Sequence, residues 1–275
     1  MAVSVIVRVR NEAVALAECL ALLGRQRGRG AGSELIVVDH ASEDASAEVA
    51  RRAGAAVVSI PREAFSFGRA LNLGAARADA SSEVIVALSA HAYVRDPDWL
   101  DRLLGAFDDP RVAAASGERV WPDGSALLAP VRLGPQLIRG YPRWGYSNAA
   151  GGVRAELWRR RPFREDLPGA EDKEWARFWA LAHGRPTVLD PGLVVDHDHT
   201  HDPVREIFLR ARREAAAYAM FLDAGEASAR GLLAEWFWDT RFYANPWRAR
   251  LSHRRLARLL GERAGSRPWA PGSGR

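Results

Sequence analysis

The sequence predicts an α/β fold: a mostly parallel sheet with helices on both faces, followed by a C-terminal helical extension. Three observations predict it. Through the first 110 residues short apolar runs alternate with segments of helical periodicity, and the order β-α-β-α-β-α-β-α implies parallel strands joined by right-handed crossovers. The composition is that of a globular chain, 48% hydrophobic and 27% charged with ten Trp among 275 residues. From Asp202 onward the periodicity is helical.

Taken in order, Val3–Val9 reads as a buried strand interrupted by Arg8, and Ala13–Leu23 as a helix with Val14, Leu16, Leu20 and Leu23 at helical spacing. Residues 35–39 read as a second buried strand, and 45–53 as a small-residue helix ended by Gly54. A third strand over 57–60 is cut by Pro61; 68–78 reads as a helix, 84–88 as a fourth strand, and 97–107 as a helix with Pro97 at its opening. Residues 121–144 hold four prolines and three glycines with little periodicity, and read as a long ordered loop of the kind that is usually functional. Order resumes over 151–160. An aromatic-rich helix follows over 171–182 (Trp175, Phe178, Trp179), then a strand pair near 188–189 and 193–195. Helices are expected over 204–222, 232–238 and 249–260, with Gly261 as a stop. The expected division is one domain over 1–201, in halves 1–110 and 111–201, a helical extension over 202–264 and a solvated tail over 265–275.

The net charge of +5 is carried almost wholly by Arg. It favours anionic partners, although a general bias toward Arg and Ala produces such a balance without a dedicated surface. No nucleic-acid-binding motif accompanies the charge, so a nucleic-acid partner is not expected. The single Cys19 rules out an intrachain disulfide framework or a thiolate zinc site. The start of the chain lacks the features of a signal peptide, and there is no uncharged apolar run of about 18 residues. A cytoplasmic protein without a membrane span is the expectation.

In parallel sheets ligands bind outside the carboxyl ends of the strands, so the segments after each strand carry the information. Arg10-Asn11-Glu12 follows the first strand, where a helix start can face an anion; polar residues at helix starts are also ordinary caps. The second strand ends in Asp39-His40-Ala41-Ser42, whose acid can accept from ribose hydroxyls or a base N–H; Asp44 reads as structural, in a first helical turn. Ser89-Ala90-His91 follows the fourth strand, with Ser89 and His91 on one face if the segment is extended. Glu171 and Asp172 head the tryptophan-bearing helix. They either compensate its dipole or supply a general base beside aromatic neighbours. His197-Asp198-His199-Thr200-His201 places three alternate imidazoles in a chain with seven His; the spacing suits metal or phosphate but is no zinc signature.

In combination these blocks resemble one family. Val3-Ser4-Val5-Ile6-Val7, the stretch from Val38 through Asp39-His40-Ala41-Ser42-Glu43-Asp44 to Ser46, and Phe67-Gly68-Arg69-Ala70-Leu71-Asn72-Leu73-Gly74 are similar to the nucleotide-binding half of family 2 glycosyltransferases with the GT-A fold. Residues 84–98 resemble the strand and turn that carry the family's Asp-x-Asp, and 148–158 with 163–175 resemble the acceptor half and its Glu-Asp pair; the resemblance covers roughly residues 2–213. It implies a nucleotide-diphosphate-sugar donor, a glycan or lipid-linked acceptor and inverting transfer. Asp172 would be the catalytic base and Glu171 and Trp175 acceptor-side residues. Asp39 would contact the base or ribose of the donor. Arg10, Asn11 and Glu12 would line the same pocket with Arg69 and Asn72 behind it, and Ser89 and His91 would lie at the diphosphate.

The sequence departs from the family where Ser89-Ala90-His91 replaces Asp-x-Asp. The second Asp of that motif binds a divalent ion, and imidazole suits Mn²⁺ better than Mg²⁺. His91 with His199, or with His197 or His201 instead, is the expected metal pair; Mg²⁺, neutralisation by Arg62 or Arg69 without metal, or a degenerate site are the alternatives. Two other functions are weighed. A nucleotidyltransferase would show a Gly-rich basic segment after the first strand, where Arg10-Asn11-Glu12 stands; a non-catalytic nucleotide-sugar-binding module has no need of the Glu171-Asp172 pair. Arg205, Arg210, Arg212 and Arg213 beside Ile207, Phe208, Leu209, Phe221 and Leu222, with the Trp236-Phe237-Trp238 and Phe242-Tyr243 clusters, also raise peripheral membrane contact, against ordinary packing of a terminal helical unit.

Overall fold

Val5 and Val7 of the first strand point to one side of a sheet and Ile6 to the other, and none of the three is exposed to solvent. This period of two, with both faces apolar, is what a strand covered on both sides requires. The computed structural model of the chain describes residues 1–197, 202–222, 230, 231, 233, 236 and 252–266. Its first half is β1 (Val3–Val9), α1 (Ala13–Leu23), β2 (Glu34–Asp39), α2 (Ser46–Arg52), β3 (Ala56–Ser59), α3 (Phe67–Arg77), β4 (Val84–Ser89) and α4 (Trp99–Gly105). There follow β5 (Ala114–Gly117), β6 (Val131–Leu133), α5 (Pro135–Gly140), β7 (Ala150–Arg154), α6 (Ala155–Arg160), α7 (Glu171–His183), β8 (Thr187–Asp190), α8 (Val204–Phe221) and α9 (His253–Gly265).

The eight strands form one sheet in the order β3-β2-β1-β4-β7-β5-β8-β6. β3, β2, β1 and β4 are parallel; β7 runs antiparallel to β4 and β5, β8 is parallel to β5, and β6 closes the edge antiparallel to β8. On one face Val5, Val7, Val37 and Val86 pack against Leu16 and Leu20 of α1 and Leu100, Leu103 and Leu104 of α4. On the other, Ile6, Ile36, Val38 and Ile85 meet Ala70 and Leu71 of α3, Trp158 of α6, and Trp175 and Trp179 of α7. Each fully buried Leu, Ile or Val contributes about 1.5–3 kcal/mol of transfer free energy, so the sheet with these two layers is the stabilising body of the fold.

Three expectations are corrected. The stretch 121–144 is ordered, as expected, but is not loop throughout: it contains β6 and α5, and Leu127, Leu133 and Ile138 form a small core with Trp121 and Trp144 packed on it. Residues 193–195 do not pair as a strand; only a single bridge joins Asp196 to Tyr93. Gly261 does not stop a helix. It lies inside α9, where a Cβ would stand 2.3 Å from the Phe208 carbonyl oxygen, and Gly265 one turn on would meet the Arg212 oxygen at 2.1 Å. The two glycines let α9 lie against Ala211 and Ala215 of α8 at backbone contact distance.

No helix among the described residues is long and apolar enough to cross a membrane. Of the aromatic clusters raised for membrane contact, only Trp236 is described; its indole N–H donates to the Ser252 carbonyl at 3.1 Å.

Candidate functional site

Strand register assembles the site. β1 is flanked by β2 and β4, so the chain leaves its carboxyl end in opposite directions on the two sides, and a crevice opens there. The register sets Arg8 opposite Ser89 and Val9 opposite Asp39. Above this row lies a cavity of about 150 Å³ walled by Arg8, Arg10, Glu12, Phe65, Phe67 and His91. His40 stacks on Phe65 with centroids 3.9 Å apart, and Phe67 meets Phe65 edge-on, which makes an aromatic floor. Burial pushes the His40 imidazole below its ordinary value, and the charge of Arg10 acts in the same direction.

The loops at the rim are held by backbone that is costly for ordinary residues. Asn11, Ala41 and Ala170 adopt left-handed φ values of 52°, 46° and 53°, and they are the three non-glycine residues that do so among those described. They stand after β1, after β2 and before α7, and such strain persists only where the surroundings enforce it. Asn11 shows how: its N–H donates to Ser42 Oγ at 2.9 Å and its Oδ1 accepts from the Glu43 N–H at 2.7 Å, tying the first tip to the second. Asp44 is structural but not in a helical turn as expected: it lies before α2, accepting from the Ala13 N–H at the head of α1 and from the Ser46 N–H. The Ser46 hydroxyl bond holds its carboxyl below the usual range.

Glu12 turns inward from the same rim. Its Oε1 lies 2.8 Å from His91 Nδ1, and the His91 ring stacks on His197 with centroids 4.8 Å apart and planes 11° apart. A carboxylate on one ring nitrogen fixes the orientation of an imidazole. His197 is thus the late histidine that meets His91; His199 and His201 lie outside the described residues. Among the described residues no three His, Cys, Asp or Glu side chains converge as a metal cluster.

The acid pair joins the cavity through Arg8. The Arg8 guanidinium lies 4.0 Å from Glu171 Oε1, donates to the Asn148 carbonyl at 3.1 Å and sits over the Phe67 ring. Asn148 then grips both acids: its N–H donates to Asp172 Oδ2 at 3.0 Å and its side-chain amide to Glu171 Oε1 at 3.2 Å. Asp172 Oδ1 also accepts from the Lys173 N–H, and the Lys173 ammonium is bonded to the carbonyls of Gly145 and Tyr146. Glu171 is only 4% exposed. Burial, and then the neighbouring Asp172 charge, push its carboxyl up to about 7. Tyr146, fully buried beside the pair, is raised well above its ordinary value for the same two reasons.

Buried polar atoms without a partner are concentrated here. Asp39 Oδ1, Arg8 Nε, Arg10 Nε, Asn148 Oδ1 and the Tyr146 hydroxyl are all shielded from solvent and unbonded among the described residues. Each such atom costs on the order of 1–3 kcal/mol, and a ligand that bonds to them would recover that cost.

The structure sets Arg10, Glu12, Ser89 and His91 on the cavity wall, Asp39 at the end of the adjoining strand, and Glu171 and Asp172 next to it through Arg8, while Asn11 is spent on tying the two strand tips together. It does not bring all the expected residues to the cavity. Asn72 has both amide hydrogens and its oxygen engaged, with the Phe163 carbonyl, Glu165, Trp158 and the Phe163 N–H. It fastens α3 to the 163–165 turn and has no bond left for a donor. Trp175 is fully buried, its indole N–H on the Arg161 carbonyl at 2.6 Å, so it presents no face to an acceptor. Arg69 and Arg62 are exposed on the rim. Residues not anticipated are Arg8, Phe65, Phe67, Tyr146 and Asn148. For Arg8 the signal was present, a charge inside an apolar strand.

Residues 4–165, more than half of the chain, match the family model described as Glycosyl transferase family 2. No curated protein matches the chain. Among solved structures, a mannosyltransferase from Pyrobaculum calidifontis, in complex with GDP-Man and Mn²⁺, is 24% identical; the match covers 93% of this chain and 73% of that one, with a TM-score of 0.63. Glucosyl-3-phosphoglycerate synthase from Mycobacterium tuberculosis, in complex with UDP, is 18% identical over 80% of this chain and 79% of that one, with a TM-score of 0.58. S. aureus TarS 1-349 is 18% identical over 85% of this chain and 69% of that one, with a TM-score of 0.56. At these identities the likeness is one of fold.

Proposed function

The chain belongs to glycosyl transferase family 2, and from that premise we propose that it transfers a sugar from a nucleoside-diphosphate-sugar donor to an acceptor hydroxyl with inversion at the anomeric carbon. The observation that carries the proposal is the junction at Arg8, which lines the strand-tip cavity and lies 4.0 Å from the acid pair. The donor cavity and a general base thereby share one wall.

Asp172 is the base in this reading. Each of its oxygens accepts one backbone N–H, from Asn148 and from Lys173, which fixes the carboxylate and leaves lone pairs for an acceptor O–H. As the acceptor oxygen bonds to the anomeric carbon, its proton passes to Asp172, the carbon–oxygen bond to the diphosphate breaks, and the charge leaves with the diphosphate. The aromatic floor of His40 and Phe65 suits the planar base, and the unbonded Asp39 Oδ1 suits a base N–H or ribose hydroxyl. Arg10 and Ser89 lie where they would line the donor.

A divalent cation, Mn²⁺ in preference to Mg²⁺, is part of the proposal. The residues fit: His91 is oriented by Glu12 in the way metal-ligating imidazoles are, and His197 is the neighbouring nitrogen donor. An ion at a diphosphate takes much of its shell from phosphate oxygens and water, and once bound it neutralises the leaving group.

The experiment is a thermal-shift panel of UDP-, GDP- and dTDP-sugars with Mn²⁺, Mg²⁺ or chelator, followed by transfer assays on Asp172→Asn. One donor class is expected to raise the melting temperature, more with Mn²⁺ than with chelator. The carboxamide introduced by that substitution cannot take the proton, so turnover should fall about 10²–10⁴-fold with the donor shift unchanged. Donor binding with equal turnover in both proteins would remove Asp172 as the base; no shift with any donor would remove the function.

A further inference from the structure

Among the described residues, two guanidinium groups near the acid pair rest on aromatic rings and form no ion pair. Arg213 of α8 lies over the Phe67 ring at 5.1 Å from its centroid, and Arg143 lies over the Tyr218 ring at 5.1 Å. Neither side chain has a hydrogen bond or an ion pair to another described residue, whereas Arg210 on the same helix is paired with Asp202 at 2.9 Å. Arg213 shares the Phe67 ring with Arg8, the residue that lies 4.0 Å from Glu171. The Arg213 Cγ is 3.8 Å from where a Cβ on Gly169 would stand, in the turn that leads to the acid pair. Arg143 precedes the strap that ends in Asn148, and Tyr218 beneath it is close enough to feel the charge of Asp172.

An aromatic ring holds a guanidinium by its face and leaves the N–H donors at its edge free. Those donors match the two oxygens of a carboxylate or phosphate. The local charges point the same way. Arg213 is acted on by the acids Glu214, Glu206 and Glu171 and by the like charge of Arg210, which Asp202 pairs, and Glu171 is raised toward neutrality by burial. Arg8 is already committed to Glu171, and Lys173 to two carbonyls. The guanidinium donors not committed to another described residue are those of Arg213 and Arg143. Burial also lowers the Arg213 guanidinium from its ordinary value, a cost that a bound anion would offset.

We propose that Arg213 and Arg143 form an anion subsite on the base side of the cleft, and that the acceptor carries a carboxylate or phosphate near the hydroxyl that is glycosylated. The subsite rests on the sugar-transfer reading for its purpose, since an acidic acceptor would otherwise be repelled by the carboxylate that must deprotonate it.

The test is binding to the full chain at low salt, read by titration calorimetry. D-glucuronate and glucose 6-phosphate are the anionic probes, D-glucose is the neutral control, and UDP, GDP and dTDP are the donor-side probes. The parent is expected to bind at least one of the two sugar anions and not glucose; which one binds separates carboxylate from phosphate. Arg213→Met, which keeps the aliphatic stem, should weaken that binding about tenfold or more. Arg213→Lys should recover part of it, and a role limited to packing on Phe67 would not predict that recovery. Nucleoside diphosphate affinity should stay within about twofold in both variants. Equal binding of the sugar anions by parent and Arg213→Met, or no binding by the parent, overturns the subsite. Loss of nucleoside diphosphate affinity in Arg213→Met reassigns the residue to the donor and overturns it as well. If no nucleoside diphosphate binds the parent, the donor reading fails on its own arm.

Discussion

Burial beside Asp172 pushes the Glu171 carboxyl from the ordinary 4.5 up to about 7, and this has a consequence for stability. Between those values the folded chain holds a proton that the unfolded chain has released, so stability falls as pH rises through that window. The charged and polar groups facing Glu171 are Asp172, which disfavours its charge, and Arg8, Arg213 and the Asn148 amide, which favour it. Glu171→Gln removes the titration while keeping an acceptor for Asn148. Thermal melts from about pH 5 to pH 8 should show the parent losing more melting temperature than the variant across the window; parallel curves would mean that Glu171 is charged throughout. Asn148 touches both acids and is expected to act through them. Asn148→Ala should lower kcat with little change in donor affinity, because the backbone bond to Asp172 survives and the side-chain bond to Glu171 does not. A fall in donor affinity of similar size would place Asn148 in donor binding instead.

At the scale of elements, α9 depends on two positions without side chains. Gly261→Leu would drive a branched side chain into the Phe208 carbonyl, and the pair α8–α9 must then separate or bend. The expected cost is about 1–3 kcal/mol, seen as a lower melting temperature; an unchanged melt would show that the two helices are not held at this distance in solution. The elements legible from sequence were those with a strong period. β1, β2, β4, α1 and α3 are apolar at intervals of two or of three to four, because they are covered on both faces or on one stripe. β5 was missed: Ala114-Ala115-Ser116-Gly117 has no branched or aromatic residue, since a strand packed between close neighbours needs small side chains rather than β-formers. β6 and α5 were hidden by the prolines and glycines that start and stop them. In the site, Asp39, Glu12, Ser89, His91 and the acid pair were legible because each ends a strand or heads a helix. The places of Phe67 and Asn148 beside them were not, since they depend on contacts made across the whole chain. Trp175 misled for a related reason, its helix being amphipathic with the indole on the core side.

For the molecule as a whole, stability and ligand binding are linked. A donor that binds only the folded chain adds about 2.7 kcal/mol at a hundred times its dissociation constant, and this should appear as a concentration-dependent melting temperature. His91→Ala is expected to remove the Mn²⁺-dependent part of that shift and leave the nucleoside-dependent part; an intact Mn²⁺ effect in the variant would exclude His91 as its ligand. The ring of Phe67 has a different consequence. It is touched by Arg8 from the first strand and by Arg213 from a helix that begins at Val204. Ribosomes deliver residues in order, at about 5–20 per second, and early segments fold while later ones are still being made. The parallel half of the sheet can therefore be in place on a nascent chain that still lacks one wall of its cleft. Arg213 can reach the Phe67 ring only after α8 has been made and has docked.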